Sequence, residues 1–180
     1  MDDLELIESY RSGNETAMEE LILKYQKNIY RLAYRMTSDM EESKDIAQNT
    51  FLQAIKNLDK FRRESLFKTW LYQIAINLCL SFKGKHRHNH EELQENIVVN
   101  QSGALNVILN KERDSLLMKS MSEVPERQRL AILLRTYEGL NCREVADIMN
   151  ISEGAVRANY HNGVKKLKEL LKGYRHGTKA

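Results

Sequence analysis

The stretch NCREVADIMNISEGAVRANYHNGVKKLKELL, residues 141–171, decides how this chain is read. Asn141, with Glu144 three residues on, has the form of a capping box, where each side chain bonds the other residue's backbone N–H. Val145, Ala146, Ile148 and Met149 then share one face of a short helix. Asn150-Ile151-Ser152 predicts a tight turn. Ser152 is suited to cap a second, longer helix that turns Ala155, Val156, Tyr160, Val164, Leu167 and Leu171 inward. Two helices joined by a three-residue turn, the second one basic, make a helix-turn-helix.

Such a second helix reads DNA by placing its N-terminal residues in a groove about 12 Å wide. That requires small residues at the entry and donors beyond them. Gly154, Ala155 and Ala158 are small, while Arg157, Asn159, His161 and Asn162 are donors. An arginine fork suits guanine or a phosphate, and an asparagine amide suits adenine. Lys165, Lys166 and Lys168 follow where backbone phosphates would lie. The other reading is a helical hairpin that packs on a partner protein. The turn, the caps, the small residues and the basic face together favour DNA.

The rest of the 180 residues agrees with an all-helical chain. One proline and eight glycines are too few breakers for a many-turned β fold. Hydrophobic residues make up 42% and charged residues 29%, enough for a core beneath a well-solvated surface. No run approaches the roughly 18 apolar residues of a membrane span, and the acidic start MDDLELIESY lacks a signal-peptide pattern. A soluble, cytoplasmic protein without membrane insertion is expected. Cys79 and Cys142 lie far apart in helical patterns and read as buried thiols, not as a disulfide or zinc site. The net charge of +3 is uneven: −4 over residues 1–61, +5 over 62–90, −3 over 91–123 and +5 over 124–180. Two basic blocks suggest two anion-facing surfaces.

Two modules emerge. In the first, a short helix over about 4–12 precedes a long one capped by Asn14 and ended by Thr37-Ser38-Asp39. Met18, Leu21, Ile22, Tyr25, Ile29, Leu32, Ala33 and Met36 keep helical spacing along the long helix. A third helix, from about Glu41 to Leu58, turns Ile46, Ala47, Phe51, Ala54, Ile55 and Leu58 inward. After the loop DKFRRES, residues 59–65, Ser65 is placed to cap a fourth helix running to about Lys85. Its apolar stripe is Phe67, Trp70, Leu71, Ile74, Ala75 and Leu78. Residues 87–105 lose the pattern and read as a linker, the first domain being 1–86 and the second 106–180. In the second, a helix runs to about Glu123, Pro125 sits in the first turn of the next, and Gly139 ends that one.

A resemblance joins the modules. EVADIMNISEGAVRA, residues 144–158, preceded by VPERQR, residues 124–129, resembles region 4 of a bacterial extracytoplasmic-function (ECF) sigma factor. DIAQNTF, residues 45–51, resembles the polymerase-binding helix of sigma region 2. FRRES and KTWLYQIAIN, residues 61–65 and 68–77, resemble its −10-element segment. Order and spacing are kept over about 15–87 and 110–172. The chain departs from the family in its recognition helix, where Arg157 stands alone among Asn159, His161 and Asn162. The stretch Lys83, Lys85, His86, Arg87, His88 replaces an arginine-rich one.

The resemblance implies a surface for −35 duplex made of Arg143, Ser152, Glu153, Gly154, Arg157, Ala158, Asn159, His161, Asn162 and Lys165. It implies a −10 surface made of Phe61, Arg62, Arg63, Ser65, Lys68, Tyr72, Gln73 and Asn77. Arg62, Arg63 and Lys68 would hold phosphates, and Tyr72, Gln73 and Asn77 would face a base edge. Asp45, Gln48, Asn49, Phe51 and Gln53 would meet the coiled coil of the largest subunit of core RNA polymerase. Promoter DNA and an anti-sigma factor are the other implied partners. Trp70 reads mainly as core; Phe61 reads equally as base-facing or as a lid on the core. The linker, about 19 residues at about 3.3 Å each, reaches some 60 Å. Roughly 16 base pairs at about 3.4 Å span some 55 Å.

No energy source is visible, since the chain has no GxxxxGK[ST] loop. No nucleophile–base–orienter set can be assembled, so an enzyme is not expected. His86, His88 and His90 alternate but read as a solvated tail, so neither metal nor cofactor is expected. Two alternatives stay open on sequence alone: a helix-turn-helix regulator that acts without polymerase, and a polymerase-binding adaptor.

Overall fold

A computed structural model describes residues 1–62, 65–86 and 115–177. It is helical, with no strand among the described residues, and divides into two compact units. The expected linker, the expected helix start at 106 and Arg63 lie outside the described residues.

The first unit contains α1 (Asp3–Arg11), α2 (Glu15–Thr37), α3 (Met40–Lys56), a 3-10 turn (Leu58–Lys60) and α4 (Phe67–His86). Helix α2 is the hub, packing against α1, α3 and α4. Its line Met18, Leu21, Tyr25, Ile29, Leu32, Ala33, Met36 is buried, as the i, i+3, i+4 spacing requires. Burial of each large apolar side chain is worth about 1.5–3 kcal/mol. Two polar residues of α3, Ser43 and Thr50, are also buried; each hydroxyl returns to its own helix, donating to the Asp39 and Ile46 carbonyls. The expected Asn14 cap makes no side-chain bond to the backbone. Ser38 ends α2 in the left-handed conformation.

Two expectations for α4 shift. The N–H of Trp70 bonds the Leu66 carbonyl at 3.1 Å, so Leu66 and not Ser65 occupies the capping position. The buried set is Phe67, Thr69, Leu71, Tyr72, Ala75, Ile76 and Cys79, while Trp70, Ile74 and Leu78 are half-buried. The burial axis follows the 67-71-75-79 line rather than the 67-70-74-78 line.

The second unit contains α5 (115–122), α6 (Glu126–Ile132) continued by a π-helical turn (Leu133–Tyr137), α7 (Cys142–Met149) and α8 (Glu153–Gly177). Pro125 is the residue before α6, with φ −51° and ψ 139°, one position earlier than expected. Leu130, Ala131, Ile132, Leu133 and Leu134 form a continuous buried run. Arg129 is buried among them. Its guanidinium donates to the Ser122 carbonyl at 3.2 Å, at the end of α5, where helix carbonyls lack partners. Burial lowers its pKa, with the Glu126 carboxylate opposing that shift. Gly139 has φ +66° and turns the chain toward α7. Cys142, as the first residue of α7, is half-buried, not buried as expected.

Candidate nucleic-acid interface

The helix-turn-helix forms around its caps. Asn141 accepts from the Glu144 N–H at 3.0 Å, and Glu144 accepts from the Asn141 N–H at 2.7 Å. Asn150 leaves α7 with φ 52°, the left-handed conformation that asparagine tolerates. Its N–H and that of Ile151 both return to the Ala146 carbonyl. Ser152 Oγ then accepts from the Ala155 N–H at 3.2 Å and opens α8.

Val145, Ala146 and Val156 are buried, which fixes the outward face of α8. Gly154, Arg157, Ala158, His161, Asn162 and Lys165 are all exposed, at intervals of three and four that form one stripe. Ser152, Glu153 and Arg143 are also exposed. Arg157 is paired with Glu153, Nη2 to Oε2 at 3.0 Å, which holds the guanidinium beside the entry end of the helix. Asn159 is different: it is half-buried, and its amide donates to the Ala155 carbonyl at 2.8 Å. It lies off the stripe, whereas Asn162, the other asparagine of the expected set, lies on it.

Gly163 escaped the sequence reading. A Cβ there would meet Ile132 Cδ1 at 2.9 Å and the Gln128 carbonyl oxygen at 3.0 Å. The glycine lets α8 lie close against α6. A glycine inside an otherwise helical pattern was the available signal, since mid-helix glycine costs about 1 kcal/mol and so needs a packing reason.

In the first unit, the −10 candidates separate by burial. Arg62 and Asn77 are exposed, and Ser65, Lys68 and Gln73 are half-buried. Tyr72 is fully buried and Phe61 is 4% exposed. Residues 73 and 77 share a helix face; Tyr72 is rotated from it by about 100°. Lys68 Nζ stands 5.7 Å from the Tyr72 ring centroid. Phe61 is a lid: its ring lies 5.7 Å from Phe67 edge-on and 5.3 Å from Trp70. Phe67 in turn meets Tyr25 at 6.0 Å. The aromatic rings here are therefore mostly committed to one another.

On α3, Asp45, Gln48, Asn49 and Gln53 are exposed, whereas Phe51 is 8% exposed. Phe51 forms part of the floor of an open groove of about 570 Å³ between α2 and α3, with Ile22, Tyr30, Ala47, Leu52 and Ile55. Leu52, beside Gln48 and Gln53, is 55% exposed and was not singled out from sequence. Among the described residues no group of three or more His, Cys, Asp or Glu is placed to hold a metal ion.

Residues 21–89 match the family described as Sigma-70 region 2, and residues 114–167 the family described as Sigma-70, region 4. The chain is 31% identical to RNA polymerase sigma-H factor of Pseudomonas aeruginosa, over 94% of its own length and 93% of the relative's. It is 30% identical to ECF RNA polymerase sigma-E factor of Haemophilus influenzae, over 87% and 88%. Its fold is similar to that of CnrH in complex with the cytosolic domain of CnrY, with TM-score 0.74, 22% identity, and 96% and 97% of the chains covered. It is also similar to sigma factor RpoE in complex with the anti-sigma factor NepR from Bartonella quintana, with TM-score 0.69, 22% identity, and 86% and 96% covered. The chain belongs to the ECF sigma factors of RNA polymerase.

Proposed function

We propose that this ECF sigma factor binds core RNA polymerase and directs promoter-specific initiation. In this reading α8 meets −35 duplex, and the segment from Phe61 to Asn77 captures the melted −10 strand. The observation that carries it is the exposed stripe Gly154, Arg157, Ala158, His161, Asn162, Lys165, in a chain that also matches Sigma-70 region 2 over residues 21–89. The small residues admit the helix to the groove, Arg157 and Asn162 offer donors to base edges, and Lys165 faces phosphate. A regulator working without polymerase would not require the region 2 half.

Capture of the −10 strand rests on Arg62, Lys68, Gln73 and Asn77, because Phe61 and Tyr72 are buried. Trp70, half-buried, is the remaining candidate for stacking. Stacking is worth about 1–3 kcal/mol per base, against a few kcal/mol to flip a base out. The polymerase surface is the exposed side of α3, with Gln48, Asn49 and Gln53 around the apolar Leu52. This reading gives the factor no chemistry of its own; polymerase supplies catalysis in the cytoplasm. No helix among the described residues is long and apolar enough to cross a membrane. An anti-sigma factor is the expected third partner, as NepR is for RpoE of Bartonella quintana.

A gel shift on promoter duplex, with and without core enzyme, tests the reading. Binding is expected only when polymerase is present. Tight binding by the free chain, as a dimer, would assign it to the regulators instead.

A further inference from the structure

We infer that Arg11, on the short helix α1, is a positioning residue for −10 strand capture; the inference rests on the role given above to the segment that begins at Phe61. Helix α1 lies before the Sigma-70 region 2 match, which starts at residue 21.

Helix α1 is clasped at both ends. At its start, Asp3 accepts from the Tyr25 hydroxyl at 2.5 Å and from Lys24 Nζ at 2.7 Å. At its end, Arg11 donates through Nη2 to the Leu58 carbonyl at 2.9 Å, while Glu8 Oε1 holds Nη1 at 3.2 Å. Leu6 and Ile7 are fully buried between the clasps. The Leu58 carbonyl also accepts from the Phe61 N–H at 3.0 Å, closing the 3-10 turn. That turn sets where the Phe61 lid sits and the direction in which the exposed Arg62 leaves the body of the unit.

A guanidinium donor is charged, and charge-assisted bonds are roughly twice as strong as neutral ones. It therefore holds a carbonyl at the root of the capture segment more firmly than a neutral donor would. The other clasp converges on the same place: Asp3 fixes Tyr25, whose ring meets Phe67, and Phe67 meets Phe61 and Trp70. Burial of the apolar face of α1 explains why the helix docks. It does not explain a guanidinium on a backbone carbonyl 47 residues away.

The test uses holoenzyme assembled from core polymerase and the full chain. The probe is a duplex selected by the wild-type holoenzyme from a random-sequence library and labelled with 2-aminopurine at the melted positions. The readout is the ratio of opened to total bound duplex. Arg11→Ala is expected to lower that ratio about five- to tenfold while leaving total duplex binding unchanged. Arg11→Lys, which keeps the charge but loses the planar fork, is expected to fall between, and carries the test if the alanine variant does not fold. Ile29→Val, a trim of the α2 core, controls for general loss of stability and is expected to leave the ratio unchanged. A wild-type ratio in the folded Arg11 variants, or an equal fall in Ile29→Val, overturns the inference. The Arg62→Ala, Lys68→Ala double variant separates the two levels. If it opens duplex normally, the assignment of the capture segment fails; if it does not and the Arg11 variants do, only the role of Arg11 fails.

Discussion

Gly163 of α8 stands against the Gln128 carbonyl of α6, so close that a Cβ at 163 would lie 3.0 Å from that oxygen. The oxygen belongs to backbone and cannot rotate aside. Replacing glycine by alanine gains about 1 kcal/mol of helix propensity, but overpacking of this kind costs about 1–3 kcal/mol. Gly163→Ala is expected to be destabilising by about 1 kcal/mol, and Gly163→Val by more, in urea denaturation. Both should weaken −35 binding by tilting α8. A stabilised alanine variant would show that the two helices have room to separate.

The pair of Arg157 with Glu153 is exposed, and such i, i+4 pairs contribute only about 0.3–0.5 kcal/mol to stability. Arg157→Ala should therefore leave the melting temperature nearly unchanged. It should weaken promoter binding by holoenzyme by about 1–3 kcal/mol on the preferred sequence and less on base-substituted ones. An equal loss on every sequence would make Arg157 a phosphate contact.

Gln48 and Asn49 are exposed on α3 and hold nothing in the core. A Gln48→Ala, Asn49→Ala double variant should fold normally by circular dichroism. If each makes a net contact of about 1 kcal/mol, its affinity for core polymerase should fall about tenfold or more. Unchanged affinity in a sedimentation or fluorescence titration would move the polymerase surface elsewhere.

Tyr25 gives the first unit a pH signature. Burial, and then the hydrogen bond to Asp3, raise its pKa above the usual value of about 10. Above that pH the unfolded chain releases a proton that the native state retains. Stability is thus full below about pH 10 and declines as the pH rises. Tyr25→Phe should cost about 1 kcal/mol at pH 7 and show a shallower alkaline decline than wild type. Parallel declines in denaturant titrations at pH 7 and about pH 10.5 would contradict the assignment.

The fold was largely legible because it is written in local signals. The Asn141–Glu144 capping box, the tight turn at Asn150-Ile151-Ser152 and the α2 stripe each depend on residues a few positions apart, and each appears in the structure. What sequence missed depends on neighbours distant along the chain. Tyr72 reads as a polar-tipped surface residue until the packing of α4 shows it buried. Gly163 reads as a weak point until α6 is laid against it, and Arg129 as a surface charge until it is found on the end of α5. The bond from Arg11 to Leu58 has no local signature. Asn159 differs for another reason: its amide turns back onto its own helix, a competition that asparagine often enters.

The most direct measurement is transcription in vitro. Core RNA polymerase, purified free of any specificity subunit, is mixed with this chain and a genomic DNA library, and transcript starts are mapped. Discrete starts, absent with core alone, that share two upstream sequence elements are expected if the chain aims polymerase at promoters. Starts that are random, or no different from core enzyme alone, would contradict that role.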